Sequence, residues 1–390
     1  MRIRERSERA GHRIRRLAAG VIVTALAASG FAAVSSRASA AGGTYIVAPS
    51  GLATGDGSLA KPLSLEKALS STSPVKPGDE ILLRGGTYTK SYGSVIRGTA
   101  TQPIVVRSYP GEWAVFDGNT LQRPSLIITG ADIWFRDFEI TKSDPKRISQ
   151  QAGAGPTDIS RGSTTSPWHG DGIALFAPRA KLINLVIHDT GNAIGYWDGA
   201  DDAEVYGCIL YNNGFLSTDR AWGHGMYIHS PTAQRSVNDV VAFQNWGIGL
   251  GAGVAEKGDL VGLSIQGSTS FENGAPVGMP WLNFHVGPHN GILDRITFRD
   301  NVGYYRTVKG DNARLGFASE AQLKQNGSVN VENNALMGGR AQLVLQGWKN
   351  ATVRGNLFSS APGDPGSSDM IRMFTNQYDG GSYQLNDNTY

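Results

Sequence analysis

The chain has 390 residues, with 36 Lys and Arg, 33 Asp and Glu, 51 glycines and one cysteine. The first 40 residues hold eight Arg and two Glu, a net of +6 against +3 for the whole chain, so the remainder is close to −3. The basic balance therefore belongs to one end and does not argue for nucleic-acid binding. A single cysteine, Cys208, excludes an intrachain disulfide framework and leaves stability to core burial.

Seven arginines lie between Arg2 and Arg16, an Ala-rich apolar run follows from Leu17 to Val34, and Ala38-Ser39-Ala40 has small residues at cleavage spacing. This is the pattern of a secretory signal peptide over 1–40, cleaved after Ala40. Arg15-Arg16 ahead of the apolar run is a faint twin-arginine signal. The expected mature protein, 41–390, is extracellular, with no membrane segment after cleavage, and a monomer is expected.

The mature part opens with Tyr45-Ile46-Val47-Ala48-Pro49-Ser50-Gly51, Gly55-Asp56-Gly57-Ser58, Lys61-Pro62, Pro77-Gly78-Asp79 and Arg84-Gly85-Gly86-Thr87-Tyr88 in that order. Over about residues 44–118 this resembles the start of secreted right-handed parallel β-helix proteins, notably polysaccharide lyases of the chondroitinase B/alginate lyase and family 9 pectate lyase types. The resemblance implies an N-terminal cap and first coils over 41–90, with a short helix over Ser64–Ser70 covering the first coil. It also implies an acidic polysaccharide as substrate. Lyases of that kind often use Lys and Arg with Ca²⁺; Lys257, Arg306 and Lys309 are present, but on no matching motif.

From residue 185 onward one phrase recurs: a short apolar run, then Asn or Asp, often with Gly. Marking Ile187, Leu210, Phe243, Phe271, Phe298, Leu336 and Phe358 gives steps of 23, 33, 28, 27, 38 and 22 residues. A base period in the low twenties with loop insertions is the signature of an all-β solenoid, here a single-stranded right-handed parallel β-helix. Asn and Gly at the strand exits suit the left-handed backbone of sharp corners. Asn388-Thr389-Tyr390 stands in mid-phrase, with no obvious cap after it. Cys208, inside an apolar run, reads as an inert core thiol, and His188 as structural.

The most chemically loaded stretch is Trp222-Gly223-His224-Gly225-Met226-Tyr227-Ile228-His229. Its alternation predicts a strand with Met226 and Ile228 inward and Tyr227 and His229 outward. Aligning coils stacks Gly170–Phe176, Gly191–Trp197, Gly223–His229, Asn245–Gly251 and Leu282–His285. One outward column then reads Ala174, Gly195, Tyr227, Gly249, Asn283. The next reads Phe176, Trp197, His229, Gly251, His285. A column at the strand starts reads Asp171, Asn192, His224, Trp246. The result is a trough with a polar floor and aromatic walls, to which Trp168, Trp197, Trp222 and Trp281 contribute sugar-stacking faces.

Three functions compete. A lyase acting on a uronic-acid polymer needs a base, an acid and a group to neutralise the carboxylate. Tyr227 and His229 are the acid-base pair, His285 a second base, and His224 or Arg220 the carboxylate partner. Asp171, Trp197, Trp222, Asn283 and Lys257 would bind substrate, and Arg235 is a further cation near the trough. Asp198, Asp201 and Asp202 are a candidate Ca²⁺ site or a solvated turn. The second reading is a polygalacturonase-like hydrolase, echoed by Asp171-Gly172, Gly223-His224-Gly225 and Arg306-Thr307-Val308-Lys309. It lacks the carboxylate pair that hydrolysis requires. The third is a glycan-binding or cell-surface β-solenoid without chemistry.

Overall fold

The computed structural model describes residues 42–119, 123–143, 170–216, 221–229, 234–253, 259–274, 282–287, 291–308, 310–316, 326–360, 369–374 and 381–390. Within them the chain winds through three stacked parallel sheets. One has twelve strands, from Thr44–Leu52 to Ser382–Asn386. A second, the groove sheet, has ten, from Tyr92–Ser94 to Asp369–Phe374. The third also has ten, from Gly86–Tyr88 to Leu357–Ser359. Ten successive coils contribute one strand to each sheet, Thr44–Leu52 and Ser382–Asn386 add one more at either end of the first, and the sole described α-helix, Leu65–Leu69, is N-capped by Ser64 and buries Leu65, Ala68 and Leu69. This is the right-handed parallel β-helix expected from the sequence.

The corners follow from local backbone chemistry. Between the twelve-stranded sheet and the third sheet, successive coils place Asp137, Asn184, Gly207, Asp239, Gly267, Asp300, Asn333, Gly355 and Asp387 at positive φ. Only Gly, and next to it Asn and Asp, adopt this conformation cheaply, so the recurring Asn/Asp/Gly after each apolar run is the turn itself.

Stacking in the third sheet corrects the repeat markers. Ile187, Leu210, Ala242, Ser270, Gly303, Leu336 and Phe358 are the true equivalents, at steps of 23, 32, 28, 33, 33 and 22. Phe243 and Phe271 point outward, one residue on. They continue a ring column with His188 and Tyr211, at centroid separations of 4.7, 5.2 and 5.0 Å. Phe298 belongs to the twelve-stranded sheet. His188 is held in this column between Glu139 and Asp189, at 3.0 and 2.7 Å.

Inside, Ile, Leu, Val and Phe form one continuous core, which includes Cys208. Burial pushes the Cys208 thiol up to about 12, which leaves it a poor nucleophile. Two asparagine ladders line interior corners. In the first, Thr190, Asn213, Asn245 and Asn273 each donate their backbone N–H to the side-chain oxygen of the next member, ending on Asn283, whose amide donates to Asn312. In the second, Ser268, Asn301, Asn334 and Asn356 do the same, ending on Asn388. Most ladder amides also reach a main-chain carbonyl of the preceding coil, as Asn245 does to Leu210 at 3.1 Å, whereas Asn283 and Asn312 reach Tyr304 O and Met337 O of the following one. The buried turns are thus satisfied by side chains where no strand partner exists.

The candidate functional site

The groove sheet places the strand Met226–Ile228 between Ile194–Tyr196 and Leu250–Ala252. Only these three residues of the loaded stretch are ladder strand. Trp222 lies before it in a two-residue antiparallel pairing with Phe215, separated from the strand by a turn with Gly223 at φ 85°. Met226 and Ile228 are buried and Tyr227 faces outward, as the alternation predicts.

The register differs from the sequence alignment by two residues at the next coil. Met226 pairs with Leu250 and Tyr227 with Gly251, which in turn pairs with His285, and His285 with Arg314. The outward column is therefore Ala174, Gly195, Tyr227, Gly251, His285, Arg314. Tyr227 still sits between two glycines. The neighbouring column, read from the next main-chain hydrogen bonds, is Phe176, Trp197, His229, Gly253, Gly287, Gly316. Asn283 leaves the groove altogether: it is wholly buried and belongs to the interior ladder. Trp246 leaves the strand-start column, where Ile248 takes its place.

That column is a hydrogen-bond relay. Asp171 Oδ1 accepts from Asn192 N and Nδ2 at 3.2 and 2.9 Å. Asn192 Oδ1 accepts from His224 N at 2.9 Å, and His224 Nδ1 accepts from Ile248 N at 2.8 Å. The last bond fixes the His224 tautomer. A backbone N–H can only donate, so Nδ1 must carry the lone pair and Nε2 the proton. Gly247 makes this possible, since a Cβ there would lie 2.5 Å from His224 Nδ1. His224 is thereby a hydrogen-bond donor at Nε2, not a base.

The rings converge around Tyr227. Its centroid is 5.5 Å from His224, 5.6 Å from His229 and 5.9 Å from Trp197, and Trp197 is 5.6 Å from His229. Phe176, 39% exposed, stacks on Trp197 at 6.5 Å and 22°. Two imidazoles and a phenol thus share one outer face at the end of an aromatic wall. His285 lies two rungs from Tyr227, about 10 Å by strand spacing.

Asp171 is buried against this face, over the outward position of Gly195. Burial pushes its carboxyl up to about 6, against hydrogen bonds from Asn192 and Trp197 and the charge of Lys142. Lys142 is itself 2% exposed and donates to Arg123 O at 2.8 Å. Because the folded value is raised above 3.8, protonated Asp171 favours the fold. That contribution is full below 3.8 and is lost as pH rises through about 6. Relative to wild type, Asp171→Asn should therefore gain stability across this window, by up to about 3 kcal/mol. Urea midpoints of both proteins at a series of pH values check this, and a constant difference would refute it.

Gly195 packs against the same group: a Cβ there would come 2.5 Å from Asp171 Oδ2 and 2.6 Å from Trp197 Nε1. At Gly251 the nearest atoms would be 3.2 and 3.4 Å away. Gly195→Ala should cost about 1–3 kcal/mol and displace Trp197, while Gly251→Ala should cost less than about 1 kcal/mol. Thermal melts of the pair, with tryptophan fluorescence, read both effects; equal melts would contradict the packing argument.

Of the other candidates, Arg220, Lys257, Lys309, Trp168, Trp281 and the signal segment 1–40 lie outside the described residues. Arg235 turns inward: its side chain is fully buried, 5.7 Å over the Tyr196 ring and 3.5 Å from Asp201. This revises the acidic run. Asp198 and Asp202 are exposed, Asp201 is the counter-charge of Arg235, and no three potential ligands converge on a metal among the described residues. Arg306 pairs with Glu272, away from the groove.

Sequence reasoning missed Arg314 and Arg340. Asp311 sits on a buried strand position with its side chain wholly covered. It accepts a two-pronged pair of hydrogen bonds from Arg340 at 2.9 and 2.8 Å and a third from Arg314 at 2.6 Å. Burial works to raise the Asp311 pKa, yet the bonds from Arg340 and Arg314 hold it below 3.8. Extending the coil alignment one step, to Asp311-Asn312-Ala313-Arg314-Leu315, would have found the column position.

The architecture and this face define a right-handed parallel β-helix with an aromatic and imidazole groove. Residues 45–188 match the family described as Pel9A-like, right handed beta helix region. Among solved structures, a rhamnogalacturonan lyase is similar at a TM-score of 0.60 and 16% identity, covering 89% of this chain and 87% of its own. The lacto-N-biosidase GH136 from Eubacterium ramulus gives 0.54 and 14%, over 89% and 68%. Pectate lyase Pel9A gives 0.51 and 18%, over 87% and 79%. No curated protein sequence matches the chain. The protein is thus a β-helix protein similar to polysaccharide lyases, and at these identities the likeness to the solved structures is one of fold.

Proposed function

We propose that the protein is a secreted polysaccharide lyase that cleaves a uronic-acid-containing polymer by β-elimination in this groove. The observation that carries the reading is Tyr227, placed between Gly195 and Gly251 with His224 and His229 within 5.6 Å, ring to ring. In β-elimination a base removes the proton beside the carboxylate, the glycosidic C–O bond breaks, and the departing oxygen takes a proton. A double bond remains in the sugar. Tyr227 and His229 divide the base and acid roles. His224, its proton held on Nε2, donates a hydrogen bond to the charge that develops on the carboxylate. Trp197 and Phe176 offer ring faces to the sugars.

One structurally similar protein is the GH136 lacto-N-biosidase, but the Tyr227 column itself carries no carboxylate residue, and Asp171, packed against the Gly195 position of that column, is a single acid. Hydrolysis with two facing carboxylates has no support there. The arginine-rich start and apolar run support export, with Ala41 as the expected mature N-terminus; sequencing of the exported protein checks this.

The test is incubation with pectate, rhamnogalacturonan and alginate, read by ultraviolet absorbance. A rise in absorbance reports the unsaturated product. New reducing ends without absorbance would replace the reading with hydrolysis, and binding without cleavage would replace it with a glycan-binding module.

A further inference from the structure

The Arg340 fork alone neutralises Asp311 and occupies both of its oxygens. Arg314 then adds a second guanidinium to a carboxylate already matched, so the trio carries a net charge of +1 at the groove. Arg314 is in the same outward column as Tyr227 and next to His285. Its Nε is buried without a hydrogen-bond partner among the described residues. The Arg340 side chain is 52% exposed. On the adjacent column the rungs at this end carry Gly253, Gly287 and Gly316, so no side chain flanks His285 and Arg314 from that position.

Asp311 and Arg314 share one strand, Asp311–Leu315, so the guanidinium is tethered at its own rung. That rung is three from Tyr227, about 14 Å along the coil stack. One sugar unit does not bridge that distance. We propose that Arg314 and Arg340, held by Asp311, form a carboxylate-binding subsite for an acidic unit of the polysaccharide, separate from the unit at Tyr227. The proposal rests on the groove being a polysaccharide site, and it orients the polymer along the coil axis: sugar faces against Phe176 and Trp197 at one end, a carboxylate on Arg314 at the other.

The experiment is calorimetric binding of oligogalacturonates and oligomannuronates, and of their carboxyl-reduced neutral counterparts, to the full chain carrying Tyr227→Phe. Arg314→Gln in that background should weaken binding of the acidic oligomers at least about tenfold, the worth of one charge-assisted hydrogen bond. It should leave the neutral counterparts unchanged. Arg314→Lys should fall between, since it keeps the charge but loses the planar fork. Arg340→Gln, checked for folding by circular dichroism, provides a second variant if Arg314→Gln does not fold. Unchanged affinity for acidic oligomers, or acidic oligomers that bind no tighter than neutral ones, overturns the subsite. Turnover is read separately on the wild-type protein. Arg314-dependent binding with no unsaturated product leaves the subsite and removes the lyase; unsaturated product with Arg314-independent binding does the reverse.

Discussion

Tyr227→Phe should lower turnover of an acidic polysaccharide by about 10²–10⁴-fold, the usual range for removal of a positioned proton-transfer group. The substitution deletes one oxygen from a half-buried ring and leaves its contacts with Trp197, His224 and His229 in place. Stability should therefore fall by no more than about 1.5 kcal/mol, the net worth of one hydroxyl hydrogen bond. His229→Ala should give a comparable loss, because its ring closes the other side of the same face. The measurement is initial rate by ultraviolet absorbance beside a melting curve. Wild-type rates in both variants would remove Tyr227 and His229 from the mechanism.

The largest expected loss of stability comes from the interior. Asn245 Oδ1 accepts from Asn213 N and Nδ2, while its own amide donates to Leu210 O and Asn273 Oδ1. Asn245→Leu strands the buried Asn213 backbone N–H and one of the two hydrogens on its Nδ2, whose other hydrogen still goes to Ile187 O. At about 1–3 kcal/mol for each stranded group, the expected cost is about 2–6 kcal/mol. Asn238→Ala removes a single bond to Glu204 near the surface and should cost less than about 1 kcal/mol. Chemical denaturation of the two variants decides the point; similar midpoints would mean that the ladder is not a source of stability.

The fold was legible because it rests on local chemistry. Asn, Asp and Gly mark left-handed corners, and short apolar runs mark inward strand positions, so both repeat length and architecture can be read from the chain. Register was harder for a specific reason. Asn245-Trp246-Gly247-Ile248-Gly249-Leu250-Gly251 alternates glycine with larger residues, so sliding it by two positions preserves the inward and outward faces. The competing alignment was broken by His224, which accepts the N–H of Ile248 and keeps that residue at the strand start. This shift carried His285 into the Tyr227 column. Ladder asparagines were equally hard to place, because Asn283 alternates correctly for an outward site and yet bends inward with Asn273 and Asn312. Arg235 misled for a related reason: nothing local distinguishes a surface cation from one that lies over Tyr196 in the interior.

The groove is assembled from successive coils, and each coil contacts chiefly its immediate neighbours. Phe176, Trp197, Tyr227, Gly251, His285 and Arg314 are therefore six consecutive instalments of one linear arrangement. Duplication of a whole coil between Gly251 and His285 would lengthen the gap between the tyrosine and the arginine by one strand spacing without disturbing either. Preference for polymer length and for the spacing of acidic units can then change through insertion or loss of coils, a route that a site assembled from distant loops does not offer.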